Sequence, residues 1–105
     1  MSYKLAFYVP IQSTKGVLEN LFKTGAGTIG NYKECCFRTK GIGQFKPTQD
    51  ANPHIGKSEE LEYVEEEKVE IVMKDKDETI KTINELKVCH PYEEVAYEVY
   101  KLENF

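Results

Sequence analysis

His-Pro-Tyr-Glu-Glu-Val-Ala-Tyr, at residues 90–97, is the segment that decides the fold. Pro91 ends whatever helix precedes it, and the apolar alternation that follows predicts a final strand. A second dense segment, Gly-Ala-Gly-Thr-Ile-Gly-Asn-Tyr at residues 25–32, marks a glycine-rich turn near the other end of the chain. The two segments together indicate one fold. Neither of them contains a complete catalytic set.

Length and composition indicate a single globular domain over residues 1–105. The sequence is 40% hydrophobic and 30% charged, with a net charge of −4, which excludes a disordered chain and disfavours a nucleic-acid-binding protein. No apolar run approaches the ~20 residues of a membrane span, and the N-terminus lacks the features of a signal peptide. The odd set of Cys35, Cys36 and Cys89 predicts free thiols in a cytoplasmic protein. A domain this small buries only about 60% of its unfolded surface, so oligomerisation would stabilise it.

Periodicity predicts the order strand, helix, strand, strand, helix, strand. The buried face of the second strand should carry Cys35 and Phe37, whereas the glutamates at 65–67 should form a solvated bulge in the third. Asp75 with Glu78 fits a capping box at the second helix. The predicted elements are a strand over Tyr3–Val9, a helix from Ser13 or Thr14 to Lys23, a strand over Asn31–Thr39, an irregular loop over Lys40–Lys57, a strand over Leu61–Lys74, a helix over Glu78–Val88 and a strand over Glu94–Leu102.

Right-handed crossovers turn this order into an α+β, ferredoxin-like βαββαβ sandwich, a four-stranded antiparallel sheet with two helices on one face. The other face needs a cover. Tyr8, Val72, Tyr97 and Tyr100 cannot all point toward the helices. We therefore expect copies of the chain to shield the second face in a homo-oligomer.

Five blocks in the correct order resemble the inserted domain of the Nif-three-like (YqfO) family. That family is often labelled type-two GTP cyclohydrolase homologues and carries a dinuclear metal site in its main domain. The last block also resembles CutA, which shares this sandwich and its trimeric assembly with the PII signalling proteins. The blocks are residues 25–32, Cys35 with Phe37-Arg38-Thr39, Gly41 and Gly43 with Phe45, Ala51-Asn52-Pro53 with Ile55-Gly56, and residues 90–97.

The resemblance implies a CutA-like and PII-like fold and a trimer. It does not imply the family's metal-dependent activity, because the family's metal ligands lie in segments that flank the insert. Those segments have no counterpart in this sequence, so we expect a free-standing version of the insert.

The glycine segment at residues 25–32 has two possible structural interpretations. Gly25, Gly27 and Gly30 form a G-x-G-x-x-G string, but it follows a helix and opens a strand, the reverse of a dinucleotide-binding turn. It is either a helix C-cap followed by a tight turn, which we favour, or a nest of N–H groups that binds an anion.

More than one role is also possible for the titratable residues. His90 is expected to bond the last carbonyls of its helix, the alternatives being a metal ligand beside Cys89, Glu93 and Glu94 or a catalytic group. His54 is expected to be a bystander. We expect Cys35 in the core and Cys36 near an interface, and we read the acidic runs at 59–67 and 75–78 as solvated edges.

The sequence therefore predicts a non-enzymatic, cytoplasmic, trimeric binding or regulatory module without a cofactor or a membrane or nucleic-acid partner. A small ligand would occupy a cleft between subunits, formed by the glycine turn, the loop at 40–56 and the corner at 90–94. The alternative is a metal-handling protein, or an accessory part of a metal-dependent hydrolase, with a divalent metal on His90 and Glu94. The predicted ligand-binding residues are Gly25, Gly27, Gly30, Asn31, Tyr32, His90, Tyr92 and Glu93.

Overall fold

A computed structural model describes residues 1–105 and contains four strands and two α-helices. The order of elements along the chain is the predicted one. No helix combines the length and the apolar character that crossing a membrane would require. The elements are β1 (Tyr3–Pro10), a 3-10 turn (Ile11–Ser13), α1 (Thr14–Phe22), β2 (Phe37–Phe45), β3 (Glu62–Met73), α2 (Lys76–Cys89) and β4 (Tyr97–Lys101).

The four strands form one antiparallel sheet in the order β2-β3-β1-β4. Alternate residues of β1 separate its two faces: Leu5, Phe7 and Val9 point toward the helices, whereas Lys4 and Tyr8 point toward the second face, here called the open face. This arrangement confirms the predicted ferredoxin-like sandwich. Tyr100 and Val72 share the open face with Lys4, as their pairing register requires, whereas Tyr97 pairs with Phe7 on the helix side.

The core lies between the sheet and the helices. Its members are apolar side chains with almost no exposed surface, and burial of each large one is worth roughly 1.5–3 kcal/mol. They are Leu5, Phe7, Val9, Val17, Leu18, Leu21, Ala26, Val69, Ile71, Met73 and Leu86. The apolar side chains of α1 that enter this core, Val17, Leu18 and Leu21, recur at the spacing of one helix face.

The start of α2 confirms the predicted cap. The Asp75 side chain accepts a hydrogen bond from the Glu78 N–H at 2.9 Å, and Glu78 Oε2 accepts one from the Lys74 N–H at 2.7 Å. Glu78 is buried, so the prediction of a solvated edge over residues 75–78 is wrong at Glu78, whereas Asp77 is exposed. Farther along α2, Ile80 is half exposed, whereas the polar Thr82 is fully buried.

The second strand is shifted relative to the prediction. β2 begins at Phe37 rather than Asn31, because Gly27 and Cys35 hold the preceding segment as a loop through a hydrogen bond of 2.8 Å from the Cys35 N–H to the Gly27 carbonyl. It continues through Gly41 and Gly43 to Phe45, which is possible because β2 is an edge strand paired only with β3.

This shift exchanges the expected faces of the second strand. Phe37 is 67% exposed on the open face, and Cys35 is only partly buried. Cys36 instead packs against the core. The expectation of a buried Cys35 and Phe37 is therefore wrong. Alternate residues along the chain face opposite sides of the sheet, and here Cys36 rather than Cys35 and Phe37 is on the side of the helices.

β3 runs without the predicted bulge. Its pairing with β2 is regular through residues 65–67, and Glu66 and Glu67 are buried rather than solvated. Glu67 accepts two hydrogen bonds from Arg38, at 2.6 and 3.0 Å, and these bonds hold the pKa of its carboxyl below its usual range. Within this run Glu66 and Glu67 are therefore internal, whereas Glu65 is exposed.

β2 and β3 continue beyond the rest of the sheet. β1 ends at Pro10 opposite Glu66, so residues 41–45 and 62–65 form a two-stranded arm. On the helix side of this arm, Ile42 is 75% exposed and Tyr63 is 60% exposed. A lone two-stranded ribbon is marginally stable in water, so this arm is a natural place for further contacts.

Candidate functional site

Two of the three predicted blocks meet at one end of the open face. The loop between β2 and β3, residues 46–61, folds against the segment between α2 and β4, residues 90–96. Together with the arm they enclose a cleft of about 360 Å³. Tyr92, Glu93 and Glu94 line it, so three of the residues named from the sequence are brought together here.

His90 is the residue that anchors this corner. It caps the C-terminus of α2, and its N–H donates to the Leu86 carbonyl at 2.9 Å. Nδ1 accepts from the Tyr92 N–H at 3.0 Å, which leaves Nε2 to donate to the Tyr8 carbonyl at 2.7 Å. Burial lowers the pKa of this imidazole, in agreement with a neutral ring that uses both nitrogens.

Tyr92 and Glu66 form the floor of the cleft. The Tyr92 hydroxyl donates to Glu66 Oε2 at 2.9 Å, and burial together with this carboxylate raises the pKa of the phenol. Glu66 crosses the face of Gly43, where an added Cβ would stand 2.5 Å from the Glu66 Cδ. The glycine therefore leaves room for the carboxylate.

Aromatic rings surround the Tyr92 ring on several sides. Its centroid lies 5.8 Å from that of Phe45, 6.5 Å from that of His54 and 5.1 Å from that of His90. His54 thus lines the cleft rather than standing apart from it, although nothing assigns it a role. The rings are tilted rather than stacked, which is one of the arrangements that aromatic pairs prefer.

The long loop is held in place by its own hydrogen bonds. The Glu59 N–H donates to the Pro47 carbonyl at 2.6 Å, and Glu59 Oε1 accepts from the Gln49 N–H at 3.0 Å. One further bond of 2.9 Å, from the Asn52 N–H to Glu93 Oε1, ties the loop to the corner. The wall of the cleft is therefore built before any ligand arrives.

The glycine turn lies elsewhere in the chain. The Gly27 N–H donates to the Val72 carbonyl at 2.8 Å, beside Lys4, whereas His90 bonds Tyr8. These two points of β1 are roughly 13 Å apart at ~3.3 Å per residue. Within one chain the glycine turn therefore does not border the cleft.

The N–H groups of this turn are also largely engaged. The Gly25 N–H donates to the Phe22 carbonyl at 3.2 Å, and the Ala26 N–H donates to the Thr24 hydroxyl at 3.4 Å. Gly25, Gly27 and Gly30 all have positive φ. This geometry favours the reading of a helix C-cap and tight turn over an anion nest.

The remaining part of the glycine segment is a small hairpin. Ile29 and Tyr32 exchange two backbone hydrogen bonds of 2.8 and 2.9 Å around Gly30 and Asn31. Tyr32 is 76% exposed and touches no part of the cleft of its own chain. A role for Asn31 and Tyr32 in ligand binding stays a prediction that concerns a neighbouring copy.

The alternative metal pair has poor geometry. Both ring nitrogens of His90 are engaged in hydrogen bonds, and Glu94 is exposed at the cleft rim. The chain contains no group of three or more His, Cys, Asp or Glu side chains that could hold a metal ion. A metal on His90 would require it to give up its bond to Tyr8 or to Tyr92.

Three residues of the cleft, Glu66, Phe45 and Tyr8, are not among the predicted ligand-binding residues. Glu66 lies in the acidic run predicted to be solvated, although the two glycines at 41 and 43 in the facing segment indicate that a side chain crosses the neighbouring strand. Phe45 is named from the sequence only in a motif with Gly41 and Gly43. It is the last residue of β2 and forms one side of the cleft.

The architecture belongs to the class of CutA-like and PII-like sandwiches. CutA from Archaeoglobus fulgidus, described as a periplasmic divalent cation tolerance protein, superimposes with a TM-score of 0.66 over the whole chain at 14% identity and over 87% of its own length. GlnK from B. subtilis superimposes with a TM-score of 0.55 at 17% identity, covering 96% of this chain and 84% of GlnK. These similarities show the fold.

Sequence comparison then defines the particular relatives. No family model matches the chain. A "GTP cyclohydrolase 1 type 2 homolog" of Halalkalibacterium halodurans is 46% identical over 97% of this chain, and that of Bacillus subtilis is 46% identical over 95%. A NIF3-related protein of Bacillus cereus has a TM-score of 0.81 at 37% identity over 98% of the chain.

The chain spans about a quarter of the length of these relatives: 27% and 26% of the two homologs and 26% of the B. cereus protein. It is therefore a homologue of a domain-sized segment of the NIF3-related proteins, and this confirms the resemblance drawn from the motifs. The fold of that segment is CutA-like and PII-like.

Proposed function

We propose that this chain is a homo-oligomeric, non-catalytic binding or regulatory module whose small ligand occupies the cleft around Tyr92. The observation that carries the proposal is the cleft itself. Two long connections, residues 46–61 and 90–96, are ordered by internal hydrogen bonds around an open space of about 360 Å³. Preformed concave sites lined by aromatic and a few polar groups are typical of ligand pockets.

A binding role fits the chemistry of the cleft better than a catalytic role. His90 is neutral and uses both nitrogens, so it has no lone pair free to act as a base. Burial raises the pKa of the Cys36 and Cys89 thiols, which keeps them protonated and poorly nucleophilic near pH 7. Free thiols also support a reducing, cytoplasmic location.

Assembly is supported by the arm. Ile42 and Tyr63 lie on its helix side with Leu61 close by, and all three are about half exposed or more. A neighbouring copy that packs on this surface would bury it and support the ribbon. Among the possible assemblies we propose a trimer, and one in which the glycine turn of one copy approaches the cleft of the next.

A thermal-shift panel tests the binding function. Nucleotides, nucleobases, amines and divalent metals are added singly, and size-exclusion chromatography with light scattering gives the mass. A trimer whose melting temperature rises with one class of ligand supports the proposal. A monomer that no member of the panel stabilises contradicts it.

A second candidate is an accessory part of a metal-dependent hydrolase or a metal-handling protein. The names of the homologues favour this candidate, because they are GTP cyclohydrolase 1 type 2 homologs. This chain covers 27% or less of the length of these two proteins. Elemental analysis of purified protein tests it. Stoichiometric Zn, Fe or Cu that falls in a His90→Ala variant would favour this candidate over the first.

A further inference from the structure

Glu66 is a buried carboxylate without a cation. Only 9% of its surface is exposed, and the two ion pairs of the chain are Lys4 with Glu70 and Arg38 with Glu67. Its neighbour Glu67 is also buried, but Arg38 satisfies both of its oxygens. A buried charge normally requires a charged or hydrogen-bonding partner, and of these two adjacent glutamates only Glu67 has a cation beside it.

One oxygen of Glu66 is left over. Oε2 accepts from Tyr92, whereas Oε1 has no hydrogen-bond partner within the chain. Oε1 is not sealed in the interior either, since every fully buried side-chain oxygen or nitrogen has a partner. Glu66 lines the cleft, so Oε1 is an acceptor that a molecule in the cleft can reach.

The backbone around Glu66 keeps its carboxylate in this position. Gly43 lies diagonally across from Glu66 on β2, and a Cβ there would overlap Oε1. Gly41, directly opposite Glu66, has open space around it. The three atoms nearest to a Cβ at Gly43 all belong to the carboxylate of Glu66.

The surroundings favour positive charge. The ionisable carboxylates that line the cleft are Glu66, Glu93 and Glu94, against the single ammonium group of Lys46. The Tyr92 and Phe45 rings, whose centroids lie 5.8 Å apart, line the same cleft as the carboxylate. A flat cation that stacks on an aromatic ring and donates N–H groups to a carboxylate satisfies both features at once.

We propose that the cleft binds a small organic cation with a planar, N–H-bearing head of the amidinium or guanidinium type. Glu66 accepts its hydrogen bonds through Oε1, and Tyr92 and Phe45 pack against its plane. This inference rests on the proposed binding function and specifies the class of ligand that the same site takes.

A titration with three related probes tests the class. Benzamidine is a planar cation, benzamide is its uncharged analogue and benzoate is an anion of similar shape. Binding is followed by NMR of ¹⁵N-labelled full-length protein through the backbone amides of Gly43, Tyr92 and Ala96. We expect saturable shifts with benzamidine at these amides and at least tenfold weaker binding of the other two probes.

Matched variants locate the contact. Glu66→Gln keeps the shape of the side chain and removes its charge, so benzamidine affinity should fall at least tenfold. Glu65→Gln makes the same change one residue away, on the other face of the arm, and should leave the affinity unchanged.

The outcomes separate the class of ligand from the site. Benzoate or benzamide binding at the cleft as tightly as benzamidine would overturn the cation proposal and leave the cleft as a binding site. No probe shifting the cleft amides would overturn the cation proposal, and a negative ligand panel would then remove the binding function as well. Because the probe series uses the unchanged protein, misfolding of a variant cannot produce these results.

Discussion

Gly43→Ala is the change that most directly tests how the cleft is built. The new Cβ would overlap Glu66 Oε1 and stand 2.5 Å from its Cδ, closer than carbon atoms tolerate. The carboxylate must therefore move away from β2. In doing so it leaves the Tyr92 hydroxyl, to which it is now bonded at 2.9 Å.

The expected cost follows from two opposing effects. Loss of a hydrogen bond to a charged group costs about 1.5–3 kcal/mol. Alanine in place of glycine in a strand restores about 0.5–1 kcal/mol through the lower entropy of the unfolded chain. The free energy of unfolding should therefore fall by about 0.5–2.5 kcal/mol.

The assay is urea unfolding followed by tyrosine fluorescence, since the chain has no tryptophan. Gly41→Ala is the control, because a Cβ there meets no atom within 4 Å, and it should be neutral or slightly stabilising. In a Tyr92→Phe background the bond is already absent, so Gly43→Ala should cost much less. Equal effects of the two glycine changes, or an undiminished cost in the Tyr92→Phe background, would refute this account of the cleft.

Three further changes test other parts of the structure. His90→Gln should flatten the pH dependence of stability. Folding lowers the pKa of His90, so between the unfolded value of about 6.5 and the lower folded value only the unfolded chain binds the proton. The free energy of unfolding of the wild type should therefore decrease as the pH is lowered through this range, by up to ~1.4 kcal/mol per pH unit. Urea unfolding at pH 5–7 measures this slope. Arg38→Ala should destabilise by about 2–3 kcal/mol in urea unfolding, because Glu67 is left buried without its two hydrogen bonds. Gly27→Ala should cost about 2–4 kcal/mol on the same assay, since φ is +82° and the Cβ would stand 2.7 Å from the Cys35 carbonyl oxygen.

A slope at pH 5–7 that persists in His90→Gln would reject the assignment to His90. Lys4→Ala breaks a partly exposed ion pair and should cost about 0–1 kcal/mol, so equal losses at Lys4 and Arg38 would contradict the explanation given for Arg38. Gly30→Ala shares the positive φ but meets no atom within 4 Å, and it should cost less than Gly27→Ala.

The sequence predicts most of the architecture because its signals are local. Pro91, the Asp75 cap and the apolar stripe of α1 each specify a structure within a few residues. They lead to the correct order of elements and to the ferredoxin-like sheet. The relatives identified by comparison confirm what the spaced motifs indicate.

The details of the cleft depend on contacts between distant residues, and local patterns do not contain them. Gly41 and Gly43 predict a turn by composition, yet they lie in a strand because β3 pairs with them. The burial of Glu66 depends on Tyr92, 26 residues away in sequence. The face of the sheet on which Cys35 and Phe37 lie depends on the residue at which β2 begins. A hydrogen bond from the Cys35 N–H to the Gly27 carbonyl determines that residue.

The central claim is that copies of this chain assemble and hold a small molecule in the cleft. Native mass spectrometry of protein purified without added ligands measures both at once. We expect an ion of about three times the 12.1 kDa chain mass, accompanied by an adduct of low mass that is lost on activation and is absent from Glu66→Gln. A bare 12.1 kDa monomer at every protein concentration would contradict the account.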